Sequence, residues 1–486
     1  MKLCSQSKKI SRCKEFNVLI TRYIGKEVSN MDESKDLGTK NIGSLLWKFS
    51  IPAVIGMMVN ALYSLVDRIF IGRGVGSMAL SGVAVTFPIT NIIMGVGLFV
   101  GAGSAAVVSI KLGQKKLKEA EKIVGNAFIL TIILSLIVTV VGIIFLDPIL
   151  KLFGASAETM PYAKQFARIL LLGVVLQNIG FGLNPIIRSE GDPKTAMKTM
   201  LIGAVLNFIM NPIFIFIFKF GVVGSAMATI ISQAVCSIWI LRYFTKGKSL
   251  LKIKKENMKL EKQVVKEIVS IGVSPLIMQV SASFVTFIIN TSLIKYGGDL
   301  AVGAYSLIMS IATLIMMTML GVNQGTQPII GYNYGAKNIS RVKKTLLNGA
   351  IVNTIISTIG WLLVQLFPVK IISIFNSADT ELIDMGSKGL SIFLLMFFMV
   401  GSQTLFVNYF QSVGKAKHSM FMSLLRQVVI LIPLVLILPK FFGLNGIWIA
   451  GPVSDFISSI ISYVLIAREI KKLNDIKDIR SAELVG

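Results

Sequence analysis

The sequence predicts an all-α polytopic membrane protein of twelve transmembrane helices, arranged as two six-helix bundles in a parallel 6+6 repeat. Three observations carry this. Of 486 residues, 54% are apolar or aromatic and only 15% are charged, against roughly 25% charged in a soluble domain. Apolar runs of about 20 residues recur along the chain, the length a helix needs to cross a bilayer. The chain also overlays on itself. Inside lipid every backbone N–H and C=O must be satisfied within the protein, so only helices or a closed barrel can span. Runs this long do not suit barrel strands of about ten residues.

In order, the predicted spans are 45–70, 84–110, 123–146, 165–187, 197–218, 222–244, 267–294, 302–330, 346–368, 387–411, 420–441 and 445–467. An even number puts both ends on one side. Basic residues accumulate in the loops of that side, which predicts cytoplasmic termini in a bacterial cell membrane. Residues 1–44 are polar and are expected to be a disordered cytoplasmic extension rather than a signal peptide, with Met31 as the expected functional start. Residues 469–486 form the expected C-terminal tail.

At an offset of about 222, Gly103, Gly113, Lys115, Lys122 and Asn126 fall on Gly325, Gly335, Lys337, Lys344 and Asn348. Phe220, Gly221 and Gly224 fall on Phe442, Gly443 and Gly446. With small gaps, Pro52 meets Pro275 and Gly191 meets Gly414. A nearly constant offset across loops and helices implies a tandem duplication, with an N-lobe over 45–244 and a C-lobe over 267–468. Each half has an even number of spans, so the halves share one orientation and are expected to enclose a cavity about a pseudo-twofold axis along the membrane normal.

The joining segment, Thr245 to Glu267, is strongly basic with interspersed Leu250, Leu251, Ile253, Met258, Leu260 and Val264. It reads either as an amphipathic helix or tether on the inner membrane surface, or as a solvated linker over 245–266 whose lysines fix topology. The net charge of +25 follows from basic inner loops and gives no reason to invoke nucleic acid. Cys4, Cys13 and Cys236 form no CxxC pair and none lies near His418, so neither a disulfide framework nor a resident metal or other cofactor is expected.

Ionisable and amide groups at membrane depth are the functional candidates. Asp67 shares a helical face with Asn60, Tyr63 and Ser64, and Pro52 lets that helix bend. A carboxylate beside hydroxyl and amide groups on a bendable helix suits proton or sodium coupling, which needs a group that changes charge or ligation between two shapes. The alternative is a headgroup-level acid paired with Arg68. Asn207 and Asn211, at i and i+4 before Pro212, offer two amides on one face. They suit a cation site or, alternatively, interhelical bonding, and Thr229 is a third polar member. In the second half Gln279 and Asn290 are further cavity candidates. Arg426 and Asp455, on the last two spans, suggest a structural or gating ion pair, with snorkelling of Arg426 as the other reading. Gly247-Lys248-Ser249 resembles the end of a P-loop, but Arg242 stands where its first glycine belongs, so the chain is not expected to be an ATPase or any other enzyme.

Over residues 40–470 the sequence resembles the multidrug and toxic compound extrusion (MATE) family, in its bacterial branch of the MepA and DinF types. The carriers are Ser50 to Ile89, Arg188 to Met197 (RSEGDPKTAM), Asn207 to Phe216 (NFIMNPIFIF), Gly221 to Gln233, Gly321 to Ala336 (GVNQGTQPIIGYNYGA) and Gly446 to Asp455. The resemblance implies a V-shaped pair of lobes and export of amphipathic, often cationic small molecules in exchange for H+ or Na+, by a protein expected to act as a monomer. It matches Asp67, Tyr63 and Pro52 to the family's first helix, and Asn207 and Thr229 to its N-lobe cation site, where Na+ would bind transiently. Asn211 stands where many relatives carry aspartate, and one carboxylate instead of two makes protonation of Asp67 the more economical coupling event. The rivals are a lipid or lipid-linked saccharide flippase and a channel or non-transporting scaffold. A flippase should line its cavity with several basic residues, and a channel should carry a continuous polar stripe.

Overall fold

The computed structural model describes residues 35–375 and 379–483, and every regular element among them is helical. The expected start at Met31 and residues 1–34 of the expected disordered extension lie outside the described residues; residues 35–39 and 42–44 are helical instead, with Leu37 and Ile42 buried.

The first span, α1 (Ile42–Gly74), opens on Asn41, whose side-chain oxygen accepts the Gly43 N–H at 2.8 Å. Pro52 lies inside it. Then come α2 (Phe87–Gly113) and α3 (Leu117–Ile144). The fourth span, α4, is broken: Met160–Leu172 and Val174–Ser189 meet at 56° across Gly173. At the start of α5 (Pro193–Ile217), Asp192 accepts the Thr195 N–H at 2.9 Å and proline occupies the first helical position, where no N–H is needed. Directly after Pro212, α5 widens into a π turn over Ile213–Ile217. Gly221–Thr245 forms α6.

The second lobe repeats this pattern. A helical stretch over Lys262–Gly335 is broken by Gly298 at φ 65° and ψ −167°, a conformation open to glycine, which divides it into α7 (262–297) and α8 (299–335). They are followed by α9 (Ile339–Leu366), then by α10, whose halves Thr380–Phe393 and Phe397–Ser412 meet at 52°. The last two are α11 (Ala416–Phe442), with a π turn over Leu425–Leu431, and α12 (Leu444–Glu483). Taking each bent pair as one span and the break at Gly298 as a boundary gives the twelve expected spans among the described residues. The breaks themselves obey the repeat: α4 matches α10, and the π turns fall in α5 and α11.

Each lobe has its own apolar interior. In the first, Val100, Ile123, Leu183, Ile187 and Ile240 are buried together. In the second, Ile308, Leu390, Phe397, Ile447 and Trp448 are. The outer apolar surface is suited to lipid: Ile144 on α3 is 66% exposed, an arrangement that water would not favour.

The lobes meet where α2 crosses α8. A methyl group on Gly113 would overlap the Tyr332 carbonyl, and one on Gly335 would overlap that of Ile110. Both glycines and both carbonyls are 222-offset mates, so the crossing is self-complementary about the pseudo-twofold axis, and small residues let the backbones touch. On α1, Ser50 and Val54 flank Pro52 and pack on Gly325 and Gly321 of α8. The expected bending point therefore sits within the contact between lobes.

The joining segment is neither a helix laid on lipid nor a solvated tether. Between the end of α6 at Thr245 and the start of α7 at Lys262, only Lys255–Met258 is helical, as one 3₁₀ turn. Leu251 is fully buried in the first lobe's core, with Leu250 and Ile253 beside it. Asn126 of α3 donates to the Asn257 and Lys259 carbonyls, each at 3.2 Å, and accepts the Glu261 N–H at 2.8 Å. Glu190, after α4, accepts from the Ser249 hydroxyl and the Leu250 N–H, both at 2.8 Å. Of the apolar residues that suggested a lipid-facing stripe, Leu250, Leu251, Ile253 and Val264 pack into a protein core while Leu260 stays exposed, and Asn126 and Glu190 satisfy backbone groups buried with them.

Candidate cation-coupling site

Seven residues before the end of α1, Asp67 turns into the first lobe between α5 and α6. Its Oδ1 accepts a hydrogen bond from Asn211 Nδ2 and one from Ser225 Oγ, the latter at 2.7 Å. The amides continue the chain: Asn211 Nδ2 donates to Asn207 Oδ1 at 3.2 Å, and Asn207 Nδ2 to Thr229 Oγ1 at 3.1 Å. Thr229 also faces Tyr63, one turn before Asp67 on α1. The i,i+4 spacing of Asn207 and Asn211, and of Ser225 and Thr229, aligns two polar pairs on facing helices, and Asp67 closes the group from the third.

Asn207, Asn211 and Ser225 are buried, so their polar atoms depend on one another. One does not: Asn211 Oδ1 is buried without a hydrogen-bond partner. Leaving such an oxygen unsatisfied costs about 1–3 kcal/mol, a standing demand for a donor or a cation. The donors around Asp67 Oδ1 suit an ionised carboxylate, and the unsatisfied oxygen suits the arrival of a proton or a hard cation. Among the described residues no group of three or more His, Cys, Asp or Glu side chains could hold a metal ion.

Arg68, the alternative partner, is exposed and stacks its guanidinium 4.5 Å above the Phe87 ring. The Asp67 oxygen is thus turned toward amide and hydroxyl donors rather than gripped by the neighbouring arginine. The Ser64 side chain lies outside the described residues. Asn60 and Asn290 are half-buried on α1 and α7, and Gln279 packs against Gly95 of α2 between the lobes, near the 3.4 Å bond from Asn91 Nδ2 to Ser283 Oγ.

Sequence reasoning missed Ser225. It stands four residues before Thr229 in GVVGSAMAT, and that spacing was the available signal.

In the second lobe Arg426 Nε donates to Asp455 Oδ1 at 2.7 Å, joining α11 to α12. Arg426 lies in the π turn of α11, and Ser454 Oγ takes its carbonyl at 2.7 Å. Ser454 thus supplies a donor to a carbonyl in the irregular turn.

The MatE family model matches residues 52–213 and, again, 275–437, once in each lobe. Multidrug export protein MepA of Staphylococcus aureus (strain MRSA252) is 28% identical over 430 residues, 86% of this chain and 92% of its own length. The protein of the same name from Staphylococcus haemolyticus (strain JCSC1435) is 28% identical over 437 residues, 87% and 94% of the two chains. A solved structure described as the outward-facing conformation of a multidrug resistance MATE family transporter of the MOP superfamily matches with a TM-score of 0.86 and 25% identity, over 90% of this chain and 98% of that one. A MOP superfamily transporter from Pyrococcus furiosus, described as having a binding pocket of reverse polarity, matches with the same score, identity and coverage. With a tandem match to the family model over two six-helix lobes, the chain belongs to the MatE family.

Proposed function

We propose that the protein is a secondary active exporter of amphipathic, often cationic small molecules, driven by entry of H+ or Na+ at Asp67, with both termini cytoplasmic. The carrying observation is the buried, unsatisfied Asn211 Oδ1 beside a carboxylate that Asn211 and Ser225 already serve as donors. An ionised Asp67 fits the present donors. A protonated one becomes a donor itself, which rotation of the Asn211 amide would accept on its free oxygen. Na+ would draw on the same oxygens, but this chain offers it a single carboxylate, which favours the proton.

The ion acts through differential stability. If it favours one arrangement of the lobes over the other by a few kcal/mol, drug affinity and ion occupancy are linked. Asp67 and Pro52 share α1, and the residues flanking Pro52 pack on α8, so a change at the carboxylate has a short physical route to the contact between lobes.

The test is transport of a fluorescent cationic dye by purified protein in liposomes, under an imposed pH gradient and then a sodium gradient. The parent should move dye with the pH gradient, and Asp67→Asn should fall to the level of empty liposomes. Parent-level transport by Asp67→Asn would remove the residue from the mechanism.

A further inference from the structure

Outside the Asp67 cluster, which lies within the first lobe, a polar contact joins the lobes at the face that holds the chain ends. Residues 35–39 form one helical turn ahead of α1, and the carbonyls at the end of such a turn need donors. They come from the other lobe. Asn333 Nδ2 on α8 donates to the Leu37 carbonyl at 2.9 Å, and Arg341 Nη2 on α9 donates to those of Leu37 and Lys40, at 3.1 and 2.6 Å. Arg341 Nε donates to Asn333 Oδ1 at 3.0 Å, which fixes the guanidinium fork.

Apolar packing accompanies the bonds. Leu37 is fully buried among Ile42, Leu45 and Phe49 of α1 and Ile329 of α8. A methyl group on Gly38 would meet the Tyr332 ring at 2.9 Å. Asp36 pairs with Lys40 at 2.8 Å and Lys48 at 3.3 Å, tying the turn back to α1. The repeat adds a counterpart: 222 residues before Asn333 and Arg341 stand Lys111 and Glu119, which pair at 2.7 Å, and Lys111 reaches Glu267 of α7 at 3.5 Å. Each lobe therefore extends a charged or polar hand to the start of the other lobe's first helix.

We propose that the turn over residues 35–40 is a latch on the inner gate, held by Arg341 and Asn333 while the lobes are closed at this face and released when they part. The inference rests on the alternating-access reading above only in requiring that the lobes part. The bonds are made to backbone carbonyls, so they depend on the position of the turn and not on its side chains. They cannot survive a separation of a few ångströms, because hydrogen bonds weaken steeply beyond about 3.2 Å.

The reporter is Ser50→Cys. Ser50 is 4% exposed, packs on Gly325 across the contact between lobes, and its hydroxyl has no hydrogen-bond partner to lose. In a background of Cys4→Ser, Cys13→Ser and Cys236→Ala, its labelling by an impermeant maleimide is timed in inside-out vesicles, with neither dye nor ion gradient present. Arg341→Gln, which loses both bonds from the guanidinium to the turn, should label at least about fivefold faster than the parent, with Arg341→Lys between them. Removal of residues 1–40, which leaves Arg341 and all twelve spans intact, should do the same and covers the case in which Arg341→Gln fails to fold. A parent-level rate after that removal overturns the latch. Coupling plays no part in the labelling, so failure of the latch and failure of the Asp67 reading are separate results.

Discussion

Ser225 of α6 donates a 2.7 Å hydrogen bond to the Asp67 carboxylate of α1, and its own side chain is fully buried. A hydroxyl can donate to the ionised carboxyl and turn to accept from the protonated one, so this contact can persist through a proton cycle. Ser225→Ala removes it and is expected to lower dye transport about tenfold at unchanged expression, from the 1–3 kcal/mol usual for a buried group left unpaired. Ser225→Thr, which keeps the hydroxyl, should retain most of the activity in the same liposome assay.

The symmetry of the crossing makes a second prediction. Gly113→Val and Gly335→Val each place a side chain against the carbonyl of the other lobe's helix. Overpacking such a contact forces the backbones apart, and because the two positions are repeat mates their effects should agree. Both are expected to depress dye transport by a similar factor, at least about tenfold; a large loss at one position with none at the other would contradict the symmetric crossing.

The Arg426–Asp455 pair concerns stability. Arg426 is 24% exposed and Asp455 8%, so removing one partner leaves a poorly solvated charge, at a cost of about 3–5 kcal/mol. Arg426→Gln and Asp455→Asn should each lower the midpoint of thermal unfolding in detergent, and the double variant should recover much of the loss. If the singles unfold like the parent, the pair is not holding α11 to α12.

Docking of the joining segment should depend on pH through Glu190. Burial pushes its carboxyl up to about 8, against the opposing influence of the Ser249 hydroxyl, the Leu250 and Leu251 amides and Lys252. The docked state therefore holds the proton more tightly than the undocked one, so docking is strongest below the ordinary glutamate value of 4.5, weakens as pH rises, and levels off above about 8. Amide exchange over residues 247–253, corrected for its intrinsic pH dependence, should show falling protection from pH 6 to 8. Glu190→Gln, which cannot titrate, should show no such trend.

Much of the fold was legible in the sequence because lipid imposes a simple rule: apolar runs of helical length mark spans, and the 222-residue offset marks the duplication. The breaks were not. Nothing in an apolar run distinguishes the 56° bend at Gly173 from a straight helix, since glycine is common in membrane helices. The joining segment was misread for a related reason: Leu250, Leu251 and Ile253 look alike whether they face lipid or a protein core, and only the Asn126 and Glu190 bonds decide between them. At the site, Asp67, Asn207 and Asn211 were visible as polar groups out of place in an apolar stretch. Ser225 was not, because a membrane serine usually bonds its own helix.

The most direct test of the central claim is to run the cycle backwards. In liposomes containing a pH-sensitive fluorophore, an outward gradient of cationic dye with no imposed pH gradient should drive protons inward through the parent protein and acidify the lumen, while Asp67→Asn should leave it unchanged. Acidification by Asp67→Asn at the parent's rate, or dye movement through the parent with no proton flux at all, would contradict proton coupling at this carboxylate.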